Sequence, residues 1–567
     1  TAGLDNIAIG YQALATEDTH SYNTAVGHQT LKVQDAGADA YNVAMGYRAG
    51  YAVTTAVNNI TIGAEAGIAL TTGSYNVAVG HGALATEDTG GRNTAMGYRA
   101  LNSLNNDASS YNVAVGYDAG ANVSTGDKNT IVGGLAGDAL TTGNHNVAIG
   151  YQALTTEDAD GRNVAIGSSA LNAQNAGVDA YNVAIGYNAG TTISTGVRNI
   201  LIGGFAGDAL TTGGYNVGIG YNALSSEDGN GYNVAVGTYS LATLNAGADA
   251  FNTALGYATG YTISTGIQNT IVGGQAGDAL TTGSFNVAVG SYALSSEDTG
   301  GYNTAVGDQA LQTQDGGASN TAVGYKAGAA ITTGSENVAI GKNALPAETT
   351  GQINVAVGVN SLQYLDGGIG NVAMGYRSGT GMSTGTQNVY IGTYCGNQVT
   401  TGSRNTAIGY YALDSEDTGG RNVAIGYQAL KMLDASADGY NTAIGYEAGL
   451  LINTGIENTL VGGLAGDALT GGMESTFIGY DAGSLTTDSE RCTFIGAETG
   501  NALNYSGENN TAIGYNAEPS AVAIDDEFTL GDTNIATLRC QVNTITLISD
   551  ERDKTDIQDI DYGLDLI

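Results

Sequence analysis

One short stretch, Asn146-Val147-Ala148-Ile149-Gly150-Tyr151, returns in near-copy along almost the whole chain, and its regular spacing restricts the fold more than any other property of the sequence. The asparagine recurs at Asn6, Asn23, Asn42, Asn59, Asn76, Asn93, Asn112 and Asn129 and onward through Asn422, Asn441 and Asn458. The period is about seventeen residues and widens at intervals to about nineteen. A unit this short cannot enclose a core alone, so it has to stack on copies of itself. The 567 residues therefore measure the extent of one solenoid of roughly thirty coils rather than a number of globular domains.

Within each repeat the order is a short strand such as NVAIG or NTAVG, a second short extended segment such as YQAL or YNAG, and a polar connection such as TTG or EDTGG. The residues one and three after the asparagine are branched and apolar, and the residue between them is usually alanine, as at Ala148, Ala184 and Ala288. Two apolar faces on so short a strand predict that both are covered, one by the interior of the coil and one by a neighbouring chain. Which face points inward is open at this point. Glycine at the strand's end, as in Gly150, suits a corner with positive φ. Coils stacked about 4.8 Å apart would bring Asn23, Asn42, Asn76, Asn112, Asn146 and Asn182 into one column, where their amides can hydrogen-bond from coil to coil.

A longer period overlies the short one. Wide connections end at Asn42, Asn112, Asn182 and Asn252, so four coils make a super-repeat of about seventy residues. Towards the end the beat degrades. Ser475 and Cys492 replace the asparagine, and Phe477 and Phe494 take the small position, which predicts a wider, more aromatic section. Repeats are expected over residues 1–517, a C-terminal β neck of a different module over 518–548, and a charged segment over 549–567. The chain opens at Thr1, with the first beat five residues later, and reads as an excerpt or processed product.

The net charge of −37, with 17 Lys and Arg, disfavours nucleic acid and anionic membranes as partners and favours cations or cationic groups. No apolar run reaches the length of a membrane-spanning helix. Cys395, Cys492 and Cys540 have no metal-ligand spacing and read as buried thiols.

Few residues invite a chemical reading. The pairs Glu17-Asp18, Glu87-Asp88, Glu157-Asp158, Glu227-Asp228, Glu297-Asp298 and Glu416-Asp417 read first as solvated turns, with a weak calcium or other divalent-cation site as the next reading. Catalysis comes last, because working carboxylate pairs face each other across a cleft. Asp138, Asp208 and Asp278 are isolated carboxylates in GDALTTG. Tyrosines after the corner glycine (Tyr11, Tyr47, Tyr117, Tyr151, Tyr187, Tyr221) and before the asparagine (Tyr22, Tyr41, Tyr75, Tyr181) should form two stripes along the rod. His20, His28, His81 and His145 read as surface variation without a common phase.

The coils resemble the head repeats of trimeric autotransporter adhesins and equally the NTAVGYQAL arrays of phage tail fibres. Ser549-Asp550-Glu551-Arg552-Asp553-Lys554-Thr555-Asp556-Ile557 resembles the opening of the self-cleaving intramolecular chaperone domain of phage tail fibres and tailspikes, the endosialidase or S74 type. This resemblance implies a trimeric fibre and cleavage just before the serine, with Ser549 as nucleophile and Lys554 as base. Asp553 departs from that family's pattern, in which the position is often apolar.

Together these readings predict an all-β, left-handed solenoid assembled as a parallel homotrimer. It would serve as a non-enzymatic virion tail fibre without a cofactor, joined to other tail proteins and attaching a phage to a bacterial surface glycan or protein. The alternative is a trimeric bacterial surface adhesin. A glycan-cleaving tailspike would need long insertions bearing separated carboxylates, which the uniform coils lack.

Overall fold

Thirty-one strands of three residues each, from Ile7–Ile9 to Phe528–Leu530, form a single parallel sheet in the computed structural model, which describes residues 5–17, 21–159, 161–501, 505–537 and 539. Each strand pairs with its predecessor and successor in the chain at a register that superposes equivalent residues: Val164, Ala165 and Ile166 lie against Val147, Ala148 and Ile149. The ordinary step is thus seventeen residues, while Val43 against Thr24 shows the wide step of nineteen. In wide coils the additional residues bulge at the surface, where Gly37, Ala38 and Asp39 are exposed before the chain returns inward at the buried Ala40. Thirty steps at about 4.8 Å give a rod on the order of 140 Å long.

The middle residue of the strand points into the coil and its two neighbours point out. Ala148 is fully buried, whereas Val147 and Ile149 are half-buried. Small side chains inside let the coil close tightly, and the remaining interior is filled from the turn by Ala153 and Leu154 and from the next corner by residues such as Leu140. Where the middle residue is large, the facing residue is small. The ring of the fully buried Tyr390 packs where a side chain on Gly396 would stand, and Phe477 does the same at Gly483. Phe477 and Phe494 stack inside the coil with ring centroids 4.9 Å apart.

The second extended segment expected from YQAL and YNAG is instead a turn in which right- and left-handed residues alternate. Gln152 has φ 56° and Leu154 φ 53°. Left-handed backbone is unfavourable for these residues, but the alternation aims successive N–H groups along the rod. That of Gln152 donates to Gly134 O in one neighbouring coil at 3.1 Å, and that of Leu154 to Ala170 O in the other at 3.0 Å. These two N–H groups thus find partners along the stack, as buried backbone requires.

The corner glycine is fixed for two reasons. Gly150 has φ 137°, a conformation open only to glycine, and a β-carbon there would overlap the carbonyl of Gly167 in the next coil. At the other end the sheet runs on past residue 517. Phe528–Leu530 pairs in parallel with Thr511–Ile513, so the first strand after Pro519 extends the same sheet by one rung. Among the described residues no helix is long and apolar enough to cross a membrane.

Candidate functional site

The asparagine column is the most regular polar feature of the interior. Asn163 N–H donates to Asn146 Oδ1 at 3.0 Å, and the same bond joins Asn23 to Asn6, Asn42 to Asn23, Asn76 to Asn59, Asn112 to Asn93 and Asn182 to Asn163 at 2.8–3.1 Å. The amide nitrogen turns the other way. Asn182 Nδ2 donates to Gly196 O at 2.7 Å and Asn76 Nδ2 to Gly90 O at 3.0 Å, tying the connection of the next coil to the strand. The expected contact was amide to amide along the column, and such contacts occur in places, as between Asn371 and Asn354 at 3.1 Å. The recurring bond runs instead from backbone N–H to side-chain oxygen, because the residue before each asparagine is left-handed, as at Tyr75 with φ 67°, and the asparagine's own N–H would otherwise lack a partner in the ladder. Ser475 and Cys492 imitate the arrangement: Ser475 Oγ accepts from Cys492 N–H at 3.2 Å, and the Cys492 thiol reaches Gly507 O at 3.3 Å.

The opposite face of the sheet is apolar and open. Positions one and three after the asparagine form two rows of Val, Ile, Thr and Met, with Met45, Met96, Ile200 and Leu255 among the exposed members. Alternation along the strand puts the residues before the asparagine and after the glycine on the same face, so two aromatic stripes border the rows. Tyr215, Tyr232 and Phe251 stack at 5.0 Å on one side, and Tyr410, Tyr427 and Tyr446 at 5.6 and 5.2 Å on the other. Arginine enters the first stripe as a spacer, Arg92 lying 5.6 Å from the Tyr75 ring and 5.4 Å from that of Tyr111.

Histidines belong to these stripes, contrary to the reading that gave them no common phase. His28 stacks between Tyr11 and Tyr47, and His81 stacks on Tyr98. Both stand five residues after an asparagine, and His145 directly precedes one, so they replace tyrosine in its own columns.

The glutamates of the Glu-Asp pairs are not solvated. Glu87, Glu157, Glu227, Glu297 and Glu416 are fully buried, as is Glu348, which no aspartate follows, while Glu17 is half-buried; all stand eleven residues after the asparagine, in the column that other coils fill with Leu140, Ile193 or Leu210. One carboxyl oxygen accepts backbone N–H groups: Glu348 Oε1 takes Gly351 N–H at 2.5 Å and Gly367 N–H at 2.8 Å, and Glu416 Oε1 takes Gly419 N–H at 2.6 Å. The other oxygen, in Glu227, Glu297, Glu348 and Glu416, is enclosed and accepts no hydrogen bond from the protein. Burial pushes the carboxyls of Glu87, Glu227, Glu297, Glu348 and Glu416 above the usual range against the opposing backbone donors, and that of Glu416 up to about 7. In the coil after Glu297, Gln314 Oε1 is likewise enclosed without a donor in the same column.

Of the aspartates of the pairs, Asp158, Asp228 and Asp417 turn outward, whereas Asp88 and Asp298 are half-buried. Asp158 and Asp228 are exposed and bond through Oδ1 to the hydroxyls of Thr141 and Thr211 in the preceding coil at 3.3 and 2.5 Å. With one carboxyl inside and the next outside, the two cannot face a common ligand or substrate. Among the described residues no group of three or more His, Cys, Asp or Glu could hold a metal ion. Asp138, Asp208, Asp278 and Asp467 are partly covered, each with an oxygen lacking a donor, and desolvation raises their pKa values, that of Asp467 to about 6 with Asp481 adding repulsion.

Cys395 and Cys492 are buried free thiols, and burial pushes that of Cys395 up to about 12. Ser549 and Lys554, the candidates for self-cleavage, lie outside the described residues, as do Cys540 and His20. Compared with known proteins, the chain matches no family model and no curated protein.

Proposed function

We propose that this chain is the shaft of a phage tail fibre, three copies packed in parallel, which projects from the virion and carries adsorption to the bacterial surface. The observation that supports the assembly is the open face of the sheet. Its two central rows, mainly of Val, Ile, Thr, Met and Leu, run through all 31 strands, and the columns beside them alternate between aromatic and polar or charged residues. At about 10 Å across the three-residue strand and 4.8 Å per rung along, the two rows cover on the order of 1,400 Å² per chain. Monomers rarely leave more than a few hundred Å² of contiguous apolar surface open, whereas obligate assemblies bury areas of the larger kind. Cyclic closure of identical chains in parallel keeps equivalent rungs level and limits the assembly to a finite rod.

The place in the virion, contact with other tail proteins and binding of a surface glycan or protein rest on the likeness of the repeats and of the Ser549 to Ile557 segment to phage fibres. A rod of repeated surfaces suits attachment by many weak contacts whose avidity exceeds that of any one. The role is structural and adhesive, without a cofactor, and the only reaction proposed is self-cleavage before Ser549 with Lys554 as base.

Light scattering of the intact product tests the assembly, with an expected mass of three times the chain's 57.0 kDa. Paired substitutions on the open face, Ile149→Lys with Ile166→Lys, should yield folded monomers. A monomeric wild-type protein would remove the trimeric shaft. Retention of the fluorescent rod on bacterial cells tests adsorption, and failure to bind any strain infected by a phage carrying this fibre would remove the attachment role.

A further inference from the structure

The repeats vary least where they build the rod, so a place where several variable positions converge on one cleft stands out. Such a cleft, of about 320 Å³, is lined by Tyr239, Tyr257, Ala258, Tyr261, Gln275 and Asp278. The tyrosines do not stack in parallel there as they do in the stripes. Tyr239 stands at 79° to Tyr257 and at 89° to Tyr261, with centroids 6.4 and 6.0 Å apart, and the rings form walls at right angles around a space. Asp278 closes one side, its Oδ1 enclosed as in the equivalent Asp138 and Asp208.

The same positions in other coils show what such walls hold. Tyr51, nine residues after Asn42, corresponds to Tyr261, nine residues after Asn252. The Tyr51 ring is covered by two cations of the chain, the Arg48 guanidinium at 4.5 Å and the Lys32 ammonium at 5.4 Å. In the register of the cleft, Arg48 is replaced by Ala258 and Lys32 by Ala242. A second comparison agrees. Tyr411 corresponds to Tyr239, and its ring carries the Lys431 ammonium at 5.2 Å, where the cleft has Tyr261. The cleft thus keeps and enlarges the aromatic surface while removing each internal cation.

Nothing nearby substitutes for those charges. From Asn199 to Tyr325 the sequence contains no Lys, Arg or His, while it contains nine Asp and Glu. Aromatic faces at right angles together with a carboxylate form the arrangement that holds a desolvated organic cation, whereas a flat sugar ring needs an open platform. The volume lies at the lower end of small-ligand pockets, which suits a compact head group.

We infer that the cleft of Tyr239, Tyr257, Tyr261 and Asp278 binds an alkylammonium group of the choline type, seated over Tyr261 where Arg48 sits over Tyr51. Tyr257 belongs to the stripe beside the face proposed for assembly, so the cleft lies at the edge of that face, and binding is measured on the full chain in its own state of assembly.

The full chain is titrated with choline chloride and with tetramethylammonium, followed by saturation-transfer NMR, with 3,3-dimethylbutan-1-ol as the uncharged isostere of choline and glucose as a neutral sugar. Saturable binding of both cations is expected, with the uncharged isostere weaker by about tenfold. Ala258→Arg should return the chain's own cation to the cleft and abolish choline binding with an unchanged circular dichroism spectrum, and Tyr261→Ala should weaken it. Absence of saturable binding, equal affinity for the uncharged isostere, tighter binding of glucose, or undiminished binding by a folded Ala258→Arg protein would each overturn the inference.

Discussion

Replacing Glu416 by glutamine should remove a pH-dependent weakness from one coil while leaving the rod intact. The wild-type carboxyl is enclosed, with Oε1 held by the Gly419 N–H and Oε2 without a donor, and Asp417 and Asp434 add negative charge around it. These surroundings favour the neutral acid, and its pKa rises from 4.5 to about 7. A carboxyl with a raised folded pKa binds its proton more tightly in the folded coil than in the opened one. Its effect is absent below about pH 4.5, grows as a loss of stability while pH rises towards 7, and is constant above that. The shift corresponds to roughly 3 kcal/mol at pH 8. Glutamine retains the acceptor for Gly419 and carries no proton to lose, so Glu416→Gln should be flat over the same interval. A long repeat array does not melt as two states, which makes local opening the right observable. Amide hydrogen exchange at Gly419 and its neighbours, corrected for intrinsic rates, should show wild-type protection falling by about a hundredfold between pH 5 and 8 and little change in the variant. Parallel profiles for the two proteins would refute the reasoning, because they would mean that this glutamate is hydrated or ionised without penalty.

Other outcomes follow from the same contacts. Asn146→Ala leaves the N–H of Asn163 buried without its acceptor and should cost about 2 kcal/mol locally, read as faster exchange confined to the coils on either side. Gly150→Ala places a methyl group against the Gly167 carbonyl at an unfavourable φ and should cost roughly 3 kcal/mol or more, with limited proteolysis opening the rod at that coil. Cys395, whose thiol is buried and pushed up to about 12, should resist thiol reagents in the native rod at pH 8 and react fully once unfolded, as followed by peptide mass spectrometry.

The coil and its register were legible because a period of seventeen residues forces equivalent residues together, and Val147, Ala148 and Ile149 could pair only with their counterparts. Which face turned inward was not legible, since alanine and valine are both apolar and the choice depends on how tightly the coil closes. The turn was misread for a similar reason: Tyr151 to Leu154 alternates like a strand, but the alternation there is of backbone hand, which leaves no mark on composition. The buried glutamates were misread because Glu87 was taken with its neighbour Asp88. Counted from Asn76, it falls in the column of Leu70 and Leu140, and that column was the available signal. His28 and His81 show the same lesson, polar residues whose place is set by their column in the stack rather than by their neighbours in the chain.

The parallel register also determines how the rod bears load. Hydrogen bonds between successive strands run along the axis, so a pull on the two ends tears rungs apart in turn rather than shearing them together. Each rung adds about 4.8 Å to the resting length but contains seventeen residues, which extend to roughly 55 Å when released. A single chain stretched in an optical trap would therefore lengthen in a sawtooth of nearly equal steps of about 50 Å, each dissipating work before the next rung is loaded. Such a shaft is a stiff strut in compression and a ratcheting damper in tension.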